Sequence, residues 1–191
     1  MSFKQCVLVL FMAGSAFPAL AASDNYTIDP MHTYPSLEFS HMGLSVWRGK
    51  FNKTSGKVTL DRVAKTGTVE VAIDIASINF GLAAMDEKAR SDDFFDVAKF
   101  PTASYRGKVS FAGDKPKSVD GQITIRGVTR PAMLSINLFN CMPHSMLKKE
   151  VCGADAEGEL NWSEYGMKMS QYGQGDAGKV HLRIQVEAIK D

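Results

Sequence analysis

The sequence lacks most of what a catalyst, a nucleic-acid binder or a membrane-anchored protein needs. No glycine-rich loop has the spacing that cradles phosphate, and no nucleophile with a base, carboxylate pair or closely spaced ligand set stands out. Charge of either sign is scarce in net terms, with 22 basic against 21 acidic residues. That balance removes the basic footprint by which proteins hold nucleic acid. No stretch after the first two dozen residues approaches the ~18 apolar residues of a membrane-crossing helix. Cysteine is limited to Cys6, Cys141 and Cys152, and neither an internal repeat nor a low-complexity tract is present.

What is there begins with a leader. Lys4, the apolar run Val7 to Ala13 and the small residues Ala19-Leu20-Ala21-Ala22 have the three regions of a secretory signal peptide. Residues 1–22 are therefore expected to be cleaved, leaving one exported domain over 23–191. Loss of Lys4 brings the formal charge to zero, and loss of Cys6 leaves Cys141 and Cys152 in an oxidising compartment, where a disulfide is expected. The competing reading is a soft-metal set of Cys141, Met142, His144, Met146 and Cys152 for copper(I), in a metal-handling or electron-transfer accessory protein. The cysteines lack the short spacing of a preformed site, and methionine is a common filler of apolar interiors.

The body of the chain alternates apolar and polar residues with a period of two. Leu37, Phe39 and His41 oppose Ser36, Glu38 and Ser40. Val46 to Phe51 and Lys57 to Leu60 are strand candidates around the turn-prone Asn52 to Gly56. Val69, Val71, Ile73 and Ile75 share a face, as do Val119, Gly121, Ile123 and Ile125, then Leu134, Ile136 and Leu138. Ala156, Gly158, Leu160 and Trp162 follow, then a Gly-rich loop at Tyr172 to Asp176 and a last strand with Val180, Leu182, Ile184, Val186 and Ala188 inward. His181 falls on the wet face. Eight or nine such strands imply an all-β antiparallel fold, barrel or sandwich. The small inward residues Gly121, Ala156 and Gly158 suit either open space in a barrel or a sharply bent sheet.

One stretch breaks the pattern, Met85 to Pro101. Ser91 has the chemistry of a helix N-cap, Asp92 and Asp93 suit a first turn, and Pro101 stops helix. A short helical segment near residues 85–100 is expected, with Phe94, Phe95 and Phe100 covering something apolar and both aspartates in water.

The motifs Tyr26-Thr27-Ile28-Asp29-Pro30 with His32, Phe39-Ser40-His41, Gly49-Lys50-Phe51, Arg90-Ser91-Asp92 with Phe94-Phe95-Asp96-Val97, Lys99-Phe100-Pro101, and Ile123-Thr124-Ile125-Arg126-Gly127-Val128-Thr129-Arg130-Pro131 together resemble the YceI-like family. The resemblance runs over nearly the whole mature chain. It implies a periplasmic, lipocalin-like antiparallel β-barrel of about eight strands, with a long isoprenoid lipid, polyprenyl or ubiquinone-like, in the cavity and no catalysis. The lining it suggests is Phe39, Phe51, Val58, Leu60, Val71, Ile73, Phe94, Phe95, Ile123, Leu134, Ile136, Leu138, Leu160 and Trp162. The head-group candidates are His32, His41, Asp86 and Arg90, although His41 on an apolar face also fits a core histidine satisfied by a neighbour.

Two departures bear on the ligand. Where many members of the family carry Asn-Arg, this chain has Asn161-Trp162, which exchanges a pyrophosphate partner for an aromatic surface and favours a neutral, quinone-type head group. Met85, Lys88 and Ala89 stand where Arg, His and Leu are usual, so the mouth is differently charged. Transient contact with a membrane or a membrane protein is expected of such a carrier, as monomer or homodimer, with no resident metal.

Overall fold

The computed structural model describes residues 23–168 and 178–191. The expected leader, residues 1–22, and the Gly-rich stretch from Tyr172 to Asp176 lie outside the described residues.

Among the described residues the strands are β1 (Asp24–Ile28), β2 (Tyr34–His41), β3 (Ser45–Phe51), β4 (Thr54–Asp61), β5 (Thr66–Asp74), β6 (Ile78–Asn79), β7 (Thr102–Ala112), β8 (Lys115–Ile125), β9 (Val128–Pro143), β10 (Glu150–Asn161) and β11 (Lys179–Lys190), with one α-helix, α1 (Ala83–Arg90). Every pairing is antiparallel, in the order β1-β4-β5-β7-β8-β9-β10-β11, and β11 returns to β1 through Tyr26 opposite Lys190. The result is a closed eight-stranded antiparallel barrel. Closure removes the free edges that a sandwich would have to protect.

The three remaining strands prolong members of that ring. β2 pairs with β11 beyond the end of β1, β3 pairs with β2, and β6 pairs with β3. Each of the first three staves is thus one strand interrupted by a break, at residues 29–33, 52–53 and 75–77. The break at 52–53 is shorter than the turn expected over Asn52 to Gly56, because Thr54, Ser55 and Gly56 already pair with Ile73, Ala72 and Val71.

Local chemistry sets the turns. Arg126 and Gly127, with φ of 50° and 74°, form the two-residue connection of β8 to β9, a geometry with both central residues left-handed that matches strand twist. Gly121 leaves no hole: an added Cβ would stand 2.5 Å from the Tyr105 ring, which fills that space. Gly158 is filled likewise, by Leu134. Of Gly121, Ala156 and Gly158, only Ala156 borders open interior.

A bulge alters one expected face. The β9–β10 register shifts between Asp155, opposite Leu138, and Ala156, opposite Ile136, leaving Asn137 as the extra residue. Ala132, Leu134 and Ile136 point inward, but Leu138 turns out to solvent, 64% exposed, and Phe139 takes the inward place. The same phase change brings Cys141 opposite Cys152, where the two form a disulfide.

The helix also lies earlier than its sequence signals suggest. It begins at Ala83, and Ser91 is its C-terminal cap, donating both its N–H and its hydroxyl to the Lys88 carbonyl. Residues 91–100 are consecutive turns, with Asp96 at φ of 51° and its carbonyl accepting from Lys99 and Phe100. Asp92 and Asp93 therefore follow a helix instead of starting one.

Candidate functional site

Strand alternation divides the barrel into a wet outer face and a dry inner one, and the connections divide it into two ends. The first end carries both strand termini, Asp24 and Lys190, and the short turns at 62–65, 113–114 and 144–149; the second carries the β2–β3 turn, the long connection with α1, the Arg126-Gly127 turn and the connection after β10. An eleven-residue stave such as β7 is about 36 Å long, or roughly 28 Å along a barrel axis to which it tilts by about 40°.

Between the ends lies an apolar cavity of about 180 Å³. Phe51, Val58, Leu60, Val71, Ile73, Phe95, Ile123, Leu134, Ile136, Leu160 and Trp162 line it, as their positions in the sequence suggest. Phe139, Met167, Tyr165 and Tyr26 join them; Phe139 was hidden by the bulge, Tyr165 and Met167 come from the turn and connection after β10, and Tyr26 from the middle of β1. No charged side chain is among the described residues that line it. Thr54, on the wall, has a buried hydroxyl with no hydrogen-bond partner among the described residues.

The first end is closed by a polar cluster. Tyr26, fully buried, donates its hydroxyl to Glu150 Oε1 at 2.6 Å and accepts from Arg62 Nη2 at 2.6 Å. The same Arg62 nitrogen bonds Glu150 Oε1 at 2.6 Å and lies 3.4 Å from both disulfide sulfurs. Arg62 holds the Glu150 carboxyl below the ordinary glutamate range, and burial, then the Glu150 contact, pushes the Tyr26 phenol up. With both sulfurs bonded to each other, Cys141 and Cys152 are not the thiolates a soft metal needs. The Nδ1 atom of His144 accepts from the backbone N–H groups of Met146 and Leu147.

Aromatic rings close the second end. Trp162, 4% exposed, lies 5.5 Å from Phe39 and 5.5 Å from Phe95, and Phe95 meets Phe51 edge-on at 5.8 Å. Phe39 forms the next row, against Phe80 at 6.1 Å and Trp47 at 6.1 Å, and does not itself line the cavity. Gly49 admits the Phe80 ring, which would stand 2.6 Å from any Cβ there. Of the three phenylalanines expected as a cover, only Phe95 reaches the interior. Phe94 is half-buried beside Lys88 Nζ, 5.7 Å from its ring, and Phe100 packs over Gly127. Asp93 does not face open water: it takes Lys168 at 2.8 Å and Lys88 at 2.6 Å, which together hold its carboxyl down at about 2. That clasp ties the turn segment to the chain beyond Trp162.

None of the four head-group candidates borders the cavity. His32 lies outside the wall, 57% exposed, bonded to Asp29 at 2.7 Å. His41 stacks on Trp47 at 4.0 Å at a strand end, half-buried instead of in the core. Asp86 accepts the Phe80 N–H at 2.6 Å, and Arg90 donates to the carbonyls of Ala76 at 2.9 Å and Ile78 at 3.0 Å. Both are pins that hold α1 over the barrel end. Polar residues near a motif read alike in sequence whether they face a ligand or a backbone, so only the fold separates the two.

The family model of the YceI-like domain matches residues 26–188, from within β1 to within β11. The chain belongs to the YceI-like family. Among its YceI-like relatives, a UPF0312 protein of Shewanella denitrificans is 30% identical over 193 residues, covering 98% of each chain. A UPF0312 protein of Pseudomonas putida is 31% identical over 180 residues, covering 92% of this chain and 91% of its own. Among solved structures, BcnA of Burkholderia cenocepacia superposes with a TM-score of 0.64 at 20% identity, covering 84% of this chain and 98% of its own. A polyisoprenoid binding domain of Saccharophagus degradans, implicated in plant cell wall breakdown, superposes with a TM-score of 0.63 at 14% identity, covering 87% and 98%. These likenesses are of fold.

Proposed function

We propose that this YceI-like protein is a non-catalytic periplasmic carrier or store of a long isoprenoid lipid, its tail in the barrel and a neutral, quinone-type head group at the aromatic end. One observation carries the reading: among the described residues the cavity of about 180 Å³ is lined without a charged side chain, and it ends in the rings of Phe51, Phe95 and Trp162. Each methylene moved from water into such an interior gains roughly 0.8 kcal/mol, so a tail that cannot stay dispersed in water is stable there. A pyrophosphate in the same place would be an uncompensated charge, whereas a quinone ring stacks on indole. The polyisoprenoid binding of the Saccharophagus degradans domain supports the ligand class, and the leader and the disulfide support the compartment.

Loading would take place at the second end. Met42, Leu44 and Val46 in and beside the β2–β3 turn, and Leu82 before α1, are exposed by 59%, 81%, 49% and 59%, and suit transient contact with a membrane. The test of the reading is mass spectrometry of lipid extracted from protein purified out of its native periplasm. A quinone with an isoprenoid tail is the expected species, and polyprenyl pyrophosphate as the main species overturns the head-group assignment.

A further inference from the structure

The break between β1 and β2 gathers a second set of polar side chains on the outer wall. Asp29 and His32 come from the break and Glu187 from β11 beside it; one donor atom of each lies within 4.8 Å of the other two. His32 Nδ1 is 2.7 Å from Asp29 Oδ2 and 3.9 Å from Glu187 Oε2. Four ligands held about 2.1 Å from a tetrahedral ion stand about 3.4 Å apart, between those two separations, so small side-chain rotations bring all three atoms onto one centre.

The backbone already fixes the frame. The Asp29 N–H donates to the Glu187 carbonyl at 2.9 Å, the Thr33 hydroxyl bonds both backbone groups of Glu187 at 3.2 Å, and the Met31 N–H occupies Asp29 Oδ1 at 2.9 Å. Asp29 Oδ2 is thereby turned toward His32. The Glu187 carboxylate has no hydrogen bond and no closer ion pair among the described residues than the 3.9 Å approach to His32, so it is left over once the Asp29–His32 pair has formed. A structural pair would need only two of the three groups.

We infer that Asp29, His32 and Glu187 form a binding site for a borderline divalent cation of the zinc class, with water completing the shell. One imidazole and two carboxylates are the donor types such ions take. Calcium and magnesium take oxygen ligands and would leave the imidazole unused, and copper(I) prefers sulfur. A bound ion would staple the strand break to β11. The site is separate from the lipid cavity and stands or falls independently of it.

The test is titration of the tag-free mature protein with Zn²⁺ against a chromophoric chelator, with Co²⁺ absorption reporting the coordination. One ion per chain is expected, bound in the micromolar range and with a tetrahedral Co²⁺ spectrum. His32→Ala and Glu187→Gln should each weaken binding by about tenfold or more, while His181→Ala, remote on the wet face of β11, leaves it unchanged. Circular dichroism checks that each variant is folded, and Glu187→Gln preserves the side chain's size. Absence of stoichiometric binding, or binding that survives both substitutions, overturns the inference, as does binding that depends instead on His144 and the neighbouring methionines.

Discussion

Replacing Phe95 by alanine should loosen the lipid while replacing Phe94 should not, although the two are neighbours in a segment where sequence alone treats them as equivalent. Phe95 is 4% exposed and its ring contacts Phe51 at 5.8 Å and Trp162 at 5.5 Å; Phe94 stands outside the cavity. Truncating a buried phenylalanine costs about 3–5 kcal/mol of stability, and the lower figure applies here because one side of the ring already borders open space. If a bound tail rests on about 50 Å² of that ring, its loss at about 25 cal/mol per Å² weakens binding by about 1.3 kcal/mol, close to tenfold. The assay is dissociation of a radiolabelled isoprenoid quinone from each variant into acceptor vesicles, alongside urea denaturation. Equal acceleration by Phe94→Ala and Phe95→Ala, or none by either, would refute the assignment of Phe95 as the inner cover.

Four further outcomes are expected. Trp162→Arg should shift the lipid recovered on purification toward anionic polyprenyl phosphates, read by mass spectrometry; an unchanged quinone would show that Trp162 does not choose the head group. Removing the disulfide by Cys141→Ala with Cys152→Ala frees a loop of about a dozen residues and should cost about 3 kcal/mol at most, a fall in Tm of roughly 6–12 °C by calorimetry. Glu150 and Asp93 both have lowered carboxyl pKa values, so each stabilises the fold above the ordinary carboxylate range and loses that contribution as pH falls through its own folded value. Denaturation midpoints should therefore drop below about pH 4, and Glu150→Gln should flatten that drop, since it removes one of the groups responsible. Leu44→Asp should reduce flotation with vesicles and slow lipid exchange without altering the lipid content of the purified protein; unaltered exchange would move the docking surface elsewhere.

Much of this barrel was legible in the chain. The alternation of Val69, Val71 and Ile73, or of Val180, Leu182 and Ile184, states which side chains face inward, because period two along a strand is a local property of backbone geometry. The motifs from Asp29-Pro30 to Arg130-Pro131 carry the family resemblance, and with it the closed eight-stranded barrel that pattern alone could not separate from a sandwich. The apolar character of the cavity follows from the same residues.

What required the tertiary structure were the places where a remote partner outweighs a local signal. Leu138 reads as inward until the β9–β10 register shifts at Asn137 and exchanges it for Phe139. Ser91 reads as a helix start, yet it ends α1, because Asp86 and Arg90 bind backbone groups of residues 76–80 and so set where the helix docks. His32 was visible as a residue near a motif, and only the pairing of β1 and β2 with β11 set it outside the wall beside Glu187. Composition and period determine which surfaces are buried, since burial free energy accumulates residue by residue. Register, breaks and long-range hydrogen bonds decide which particular atoms meet, and those are the contacts on which the proposed head-group and outer cation sites depend.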